Sequence, residues 1–283
     1  MTAASRSRID RRLLIALLLV ANLGLAFAAS ARGSARADDE EGALWGFSPY
    51  FDSGPYAFLQ RVEGEVDTDF GPTEKAQNLL TNMGWSFQLG LRSPRLADVP
   101  GKPRLDLQGG VLLPTNPSGT ISSKVDVSSE LAATLKEEVK LAVDYNTSYH
   151  ASLGVEVVVD GLPVEIRITP AVRYLSLTTR LDGLVDSTRS FQGGAQAEIV
   201  RNAAVQKNLR QHLLGPSLRV ATEPIELWGI EGDLYLEGDL LVDLEGMDES
   251  LDAFTEDARR ASFRWEADRV AGLVRFGFRL LLP

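Results

Sequence analysis

From Val139 to Val157 the chain alternates with a period of two. Odd positions carry Val139, Leu141, Val143, Tyr145, Thr147, Tyr149, Ala151, Leu153, Val155 and Val157; even positions carry Lys140, Ala142, Asp144, Asn146, Ser148, His150, Ser152, Gly154 and Glu156. Successive side chains of a strand point to opposite faces, so this stretch predicts a strand with one apolar and one polar face. Asp160-Gly161 follows, a dipeptide suited to a type I′ hairpin, and the apolar residues then move to even positions: Leu162, Val164, Ile166, Ile168, Val172 and Tyr174. A two-residue turn that pairs 159 with 162 requires this switch from odd to even, so turn and pattern agree on a hairpin.

The same alternation marks further strands. Tyr56, Phe58, Val62 and Val66 outline a first; Trp85, Phe87, Leu89 and Leu91 a second; Leu105, Leu107, Val111 and Leu113 a third. After the hairpin come a weaker strand over Leu218 to Leu227, broken by Pro224, and one carrying Ile230, Leu234, Leu236, Leu240, Val242 and Leu244. The last runs from Phe263 and Trp265 to Val270, Val274, Phe276, Phe278, Leu280 and Leu282, with a phase slip near Arg269 that suggests a bulge. The count is about eight. The connections (67–83, 94–102, 114–138, 160–161, 179–217, 228–229 and 246–261) alternate long and short, as in barrels with tight turns at one end and larger loops at the other. Within the longest, Ile199, Ala203, Leu209 and Leu213 lie near helical spacing and predict a short surface helix.

The beginning of the chain reads as an export signal. Arg6, Arg8, Arg11 and Arg12 precede the apolar run Leu13 to Ala29, and Ala35-Arg36-Ala37 offers a cleavage site before the acidic run Asp38-Asp39-Glu40-Glu41. We read 1–37 as a cleaved signal peptide, 38–54 as an N-terminal periplasmic segment and 55–283 as the barrel. Cleavage removes six arginines and one aspartate, which leaves 246 residues with a net charge of −15. An acidic chain is a poor partner for nucleic acid. The absence of cysteine excludes disulfides and thiolate metal sites, and two histidines offer little to a metal.

Alternation alone does not say whether the apolar face lines a soluble core, as in a lipocalin-like barrel, or meets lipid. The polar faces mix small residues with opposite charges, which suits a narrow filled lumen. Aromatic residues such as Trp85, Tyr149, Tyr174, Trp228 and Phe276 lie toward strand ends, as interfacial girdles do. The expected fold is therefore all-β: an antiparallel up-and-down transmembrane barrel, apolar side outward, in the outer membrane.

The last strand contains Arg275-Phe276-Gly277-Phe278-Arg279-Leu280, followed by Leu282-Pro283 where a terminal aromatic is usual. This segment resembles the signal by which the barrel assembly machinery of Gram-negative bacteria recognises its clients. The resemblance implies that machinery as a partner, through Arg275, Gly277, Phe278 and Leu280. More broadly, Trp85 to Arg92 with Pro100 to Leu105, Ile168 to Tyr174 and Leu214 to Arg219 are similar to proteobacterial outer-membrane barrels of the OmpA-like/porin-like superfamily. The motifs are structural and imply no assigned activity.

Candidate site residues come from the polar faces. Asp144, His150, Glu156, Glu165, Arg167 and Arg173 are expected to form a charge network in the lumen, together with Arg219, Glu231, Asp233, Arg275 and Arg279. Ser148, His150, Ser152 and Asp144 share a face, but neighbours two apart on a strand are about 7 Å apart, too far for a nucleophile and its base. His212 is expected at the surface. The acidic cluster Asp248, Glu249, Asp252, Glu256 and Asp257 lacks the spacing of a calcium loop and reads as a solvated loop. The expected role is a monomeric outer-membrane barrel surrounded by lipid, structural or surface-interacting, with no catalytic residues, metal or cofactor. The alternatives are a small porin and a soluble lipocalin-like ligand-binding barrel.

Overall fold

The computed structural model describes residues 46–68, 74–96, 98–115, 118–128, 133–159, 165–191, 198–227, 230–254 and 260–282. The expected signal peptide lies outside them. Among the described residues there are twelve strands: β1 (Ser48–Thr68), β2 (Glu74–Arg92), β3 (Arg104–Pro114), β4 (Ser118–Ser128), β5 (Ala133–Tyr145), β6 (Ser148–Val159), β7 (Ile166–Phe191), β8 (Glu198–Thr222), β9 (Ile225–Leu227), β10 (Ile230–Asp243), β11 (Met247–Phe254) and β12 (Arg260–Leu281). Eight of them close a ring in the order β12-β1-β2-β3-β6-β7-β8-β10 and back to β12, every pair antiparallel. Closure satisfies the backbone donors and acceptors of the ring inside the sheet, the condition for a β-structure in hydrocarbon. The chain thus has the architecture of an outer-membrane-type β-barrel.

In the ring, side chains facing outward are apolar and exposed. Leu89 is 64% exposed, Phe276 61% and Leu236 57%, and Trp85, Leu107, Val172, Leu218 and Val274 belong to the same belt. Soluble monomers rarely expose an apolar patch of more than a few hundred Å². The outward row of β10 from Leu234 to Leu244 rises about 33 Å along the strand, or about 25 Å at the ~40° tilt usual in such barrels, the height of a lipid-facing band.

Beyond this belt the same wall continues and its polarity inverts. β4 pairs β5, β5 pairs the far half of β7, and β11 pairs the near half of β12, so the sheet extends past the belt as a raised continuation of the barrel. There the inward side chains are apolar: Val62, Val66, Leu141, Val143, Leu181, Val185, Leu251, Phe263 and Trp265 form one buried cluster. The outward ones are ionic, with Arg264 to Asp248 at 2.6 Å and Arg260 to Asp252 at 2.9 Å, while Lys207 and Glu249, on the inward parity of β8 and β11, pair at 2.5 Å and are partly exposed. A dry interior and a charged exterior are what water demands of a sheet.

Several sequence expectations change accordingly. The alternating run is two strands, interrupted at Asn146-Thr147; Tyr145 and Ser148 both face inward, so Val143 lies in the interior while Leu153 lies on the outer wall. Apolar and polar keep their sequence phase across the break, but inside and outside exchange. Tyr56, Phe58, Val62 and Val66 likewise point inward. The expected hairpin keeps its odd-to-even phase, but pairing begins at Val159↔Ile166 instead of 159 with 162, and residues 160–164 lie outside the described ones. The bulge near Arg269 is present as a register shift opposite Gln60 and Val62. A two-residue shift preserves parity, so the polarity inversion accounts for the apparent phase slip.

The expected long connections are largely strand. The helix over 195–214 is not found: residues 198–222 are β8, and Leu209 and Leu213 face the interior. A spacing of four keeps residues on one face of a helix and equally on one face of a strand, which is how the pattern misleads. β1 begins at Ser48, inside the segment read as periplasmic. At the opposite end from the extension, the β2–β3 connection closes in a tight turn at its tip, where Lys102 N–H donates to Val99 O, with Gly101 at φ 75° and Lys102 at φ 40°.

Candidate functional site in the barrel lumen

Alternate residues of all eight ring strands point into a space too narrow for water-borne side chains to avoid each other. Buried there, among the described residues, are seven arginines (92, 104, 167, 173, 219, 275 and 279) and seven carboxylates (Asp52, Asp106, Glu156, Asp233, Glu237, Asp239 and Asp243), so the interior neutralises itself. All the cations are arginine. The guanidinium is planar, less strongly hydrated than an ammonium and able to bridge several acceptors, which suits a desolvated network.

Two carboxylates act as hubs. Glu156 on β6 meets Arg104 at 2.8 Å, Arg95 at 2.9 Å, Arg92 at 3.1 Å and Arg279 at 3.4 Å. Glu237 on β10 meets Arg219 at 2.6 Å and also accepts from Arg173 and Arg275. Asp233 joins the first group through Arg92 at 3.3 Å and Arg167 at 3.5 Å; Asp239 joins the second through Arg173 at 2.9 Å. Asp52 takes Arg219 at 3.2 Å.

Tyr50 belongs to the first group. Two guanidinium groups approach its ring, Arg92 at 5.0 Å and Arg279 at 4.6 Å from the centroid, and its hydroxyl donates to Asp106. Gly90 makes room for it: a Cβ there would fall 2.0 Å from the tyrosine ring. Tyr235 similarly carries Arg219 at 4.5 Å.

His150 lies in this interior, where Arg173 Nη1 donates to its Nδ1 at 2.8 Å. Gln108 links Ser152, at 2.6 Å, to Arg219, at 2.6 Å.

Above the ions the lumen is filled by a different chemistry. Tyr56, Phe58, Leu112, Tyr145, Leu175, Leu177, Leu213, Leu241, Ala271 and Leu273 form an apolar layer, and the cluster of the extension follows it.

The structure brings His150, Glu156, Arg167 and Arg173 together as buried lumen residues, with Arg219, Asp233, Arg275 and Arg279. Glu165 bonds Arg167 at 2.9 Å from the mouth, its side chain 41% exposed. Asp144 is not in the lumen. It lies on β5 beyond the break, on the outward parity between buried Val143 and Tyr145, and lines a shallow surface hollow with Leu113, Asn146 and Thr147. Glu231 is exposed. His212 is on a strand and half-buried, its Nδ1 2.6 Å from the Tyr174 hydroxyl. Asp248, Glu249 and Asp252 are ion-paired along the extension, while Glu256 and Asp257 lie outside the described residues.

Sequence reasoning missed Asp52, Arg92, Arg104, Asp106, Glu237 and Asp239. The signal was available, since Gln88, Gly90 and Arg92 alternate with Phe87, Leu89 and Leu91, and Glu237 and Asp239 with Leu236 and Leu240. Among the described residues, no group of three histidines or carboxylates is arranged to hold a metal.

No protein-family profile matches the chain, and no curated protein matches it. Among solved structures, the attachment invasion locus protein Ail of Yersinia pestis aligns at 10% identity over 80% of this chain and 98% of that one, with a TM-score of 0.20. The outer membrane protease OmpT of Escherichia coli aligns at 8% identity over 83% and 97%, with a TM-score of 0.27. A Pseudomonas aeruginosa FadL homologue aligns at 8% over 83% and 90%, with a TM-score of 0.25. Likeness at this level says nothing about role, and the reading of the barrel rests on its own ring, belt and lumen.

Proposed function

We propose that this chain is an outer-membrane β-barrel with a sealed lumen, whose role is to hold the raised extension at the cell surface for envelope structure or surface interaction, without catalysis. One observation carries this reading: the interior is filled at successive levels, by a self-neutralised arginine–carboxylate network and then by two apolar layers, while the outer wall at the level of the network is apolar. The filled lumen speaks against a porin, and the outward belt speaks against a lipocalin-like soluble barrel, which needs its apolar side inward. The engagement of His150 Nδ1 by Arg173 speaks against a general base there. In the same reading the C-terminal strand, through Arg275, Gly277, Phe278 and Leu280, is the segment the assembly machinery engages.

The test combines location and conductance. The full chain is expected to fractionate with the outer membrane, to migrate differently on a detergent gel before and after boiling, and to give no single-channel steps in planar bilayers. Release into the periplasmic fraction overturns the location, and steady ohmic current overturns the seal.

A further inference from the structure

The outward rows of β7 and β8 cross from the apolar belt to the charged extension at Tyr174 and His212. Val172 and Leu218, both at least half exposed, lie on the belt side; Arg210 is the next outward residue of β8 on the extension side. The two rings stack at 5.9 Å and 14°, and the Tyr174 hydroxyl is 2.6 Å from His212 Nδ1. In the tautomer whose Nδ1 accepts from the phenol, the imidazole proton resides on Nε2 and offers a donor on the outer wall.

Arg210 is exposed, and among the described residues it forms no ion pair. By contrast the half-buried Arg180 and the exposed Arg260 and Arg264, further out, each close on an aspartate within 2.9 Å. Glu245, from the neighbouring β10–β11 break, is a second charge acting on Tyr174 and, among the described residues, forms no ion pair with Arg210.

We propose that Arg210, His212 and Tyr174 seat the phosphate headgroup of a membrane lipid at the extension-side edge of the belt, with its acyl chains lying over Val172, Leu214 and Leu218. A guanidinium and an imidazole N–H donor suit phosphate oxygens. The continuity of the site with the lipid-facing rows selects a lipid phosphate over a free one. This inference rests on the membrane reading above and adds a specific headgroup contact to it.

The experiment uses the full chain in phosphatidylcholine vesicles containing a minority of phosphatidic acid, with lipids retained on the extracted protein counted by native mass spectrometry. Wild type is expected to retain phosphatidic acid over phosphatidylcholine, and Arg210→Ser with His212→Ala to lose about fivefold of that preference. Arg264→Ser, a cation on the extension, is expected to leave the preference unchanged. Equal retention by the double variant, or an equal loss in Arg264→Ser, overturns the site. Displacement of the lipid by millimolar inorganic phosphate reassigns it to free phosphate. Failure of the chain to enter vesicles at all is a separate outcome, which overturns the membrane reading instead.

Discussion

Glu156 and Arg279 meet at 3.4 Å although β6 and β12 stand four places apart in a ring of eight, on diametrically opposite walls. The pair therefore spans the barrel instead of running along its wall, and Arg92, Arg95 and Arg104 converge on the same carboxylate.

Removing that carboxylate leaves four arginines facing one another in a desolvated space. Glu156→Gln is expected to destabilise the barrel by about 3–5 kcal/mol, measured by denaturant unfolding in lipid vesicles. Arg279→Gln added to it is expected to cost less than the sum of the single changes, because it relieves part of the uncompensated charge. Strict additivity is the result that contradicts a shared network.

The seal has more than one layer, so emptying one layer is not expected to open it. Arg173→Ser with Glu237→Ser and Arg275→Ser clears much of one ionic group, yet Leu175, Leu213, Leu241 and Leu273 still close the lumen above. Planar-bilayer recordings of this triple variant are expected to stay silent. Replacing these four leucines by serine as well is expected to leave the recordings silent too, because the Glu156 group and the apolar cluster of the extension still fill the interior; steady current from either variant contradicts the layered seal.

Polarity inversion makes the cost of an arginine depend on height. Leu240→Arg, outward near the middle of the belt, is expected to cost about 2–4 kcal/mol in vesicle-based unfolding. Ser250→Arg, outward on the extension, is expected to stay within about 0.5 kcal/mol. Leu251→Arg, one residue on but inward, is expected to disrupt the extension because the charge has no partner in its apolar cluster. Similar costs at Leu240 and Ser250 contradict the assignment of lipid to one level and water to the other.

Acid is expected to loosen β11 before the ring. Hydrogen bonds from Arg264 and Arg260 hold the carboxyls of Asp248 and Asp252 below the usual carboxylate range. A depressed folded-state pKa gives stabilisation that is present above the unfolded value, about 3.9, and is lost as pH falls through the folded one. Hydrogen exchange of β11 amides is therefore expected to accelerate below about pH 4, and Asp248→Asn with Asp252→Asn to flatten that dependence.

The ring was legible because lipid imposes a simple code, apolar outward and polar inward, and Leu89, Leu107, Leu236 and Phe276 follow it. The extension was not legible by the same reading. Val143 and Leu153 both sit at odd positions of one alternating run, and only the two-residue break at Asn146-Thr147 places them on opposite sides of the wall. Nothing in a period of two states which side is wet, so Asp144 was grouped with Glu156, and Tyr56 with Leu89. Half of the charge network was readable from Arg167, Arg173, Arg275 and Arg279. Which carboxylate meets which arginine was not, because contacts such as Glu156 with Arg279 join residues 123 positions apart and depend on ring closure.

The strands leave the belt without changing into flexible loops. β7 continues from Ser176 to Phe191, about 50 Å along the strand and about 40 Å of height at the usual tilt. The far ends of these strands are thereby kept at a fixed stand-off from the hydrocarbon, on a stalk that cannot bow down to it. A partner that docks at those ends meets them clear of the headgroup layer, and the distance between it and the bilayer is set by strand length alone.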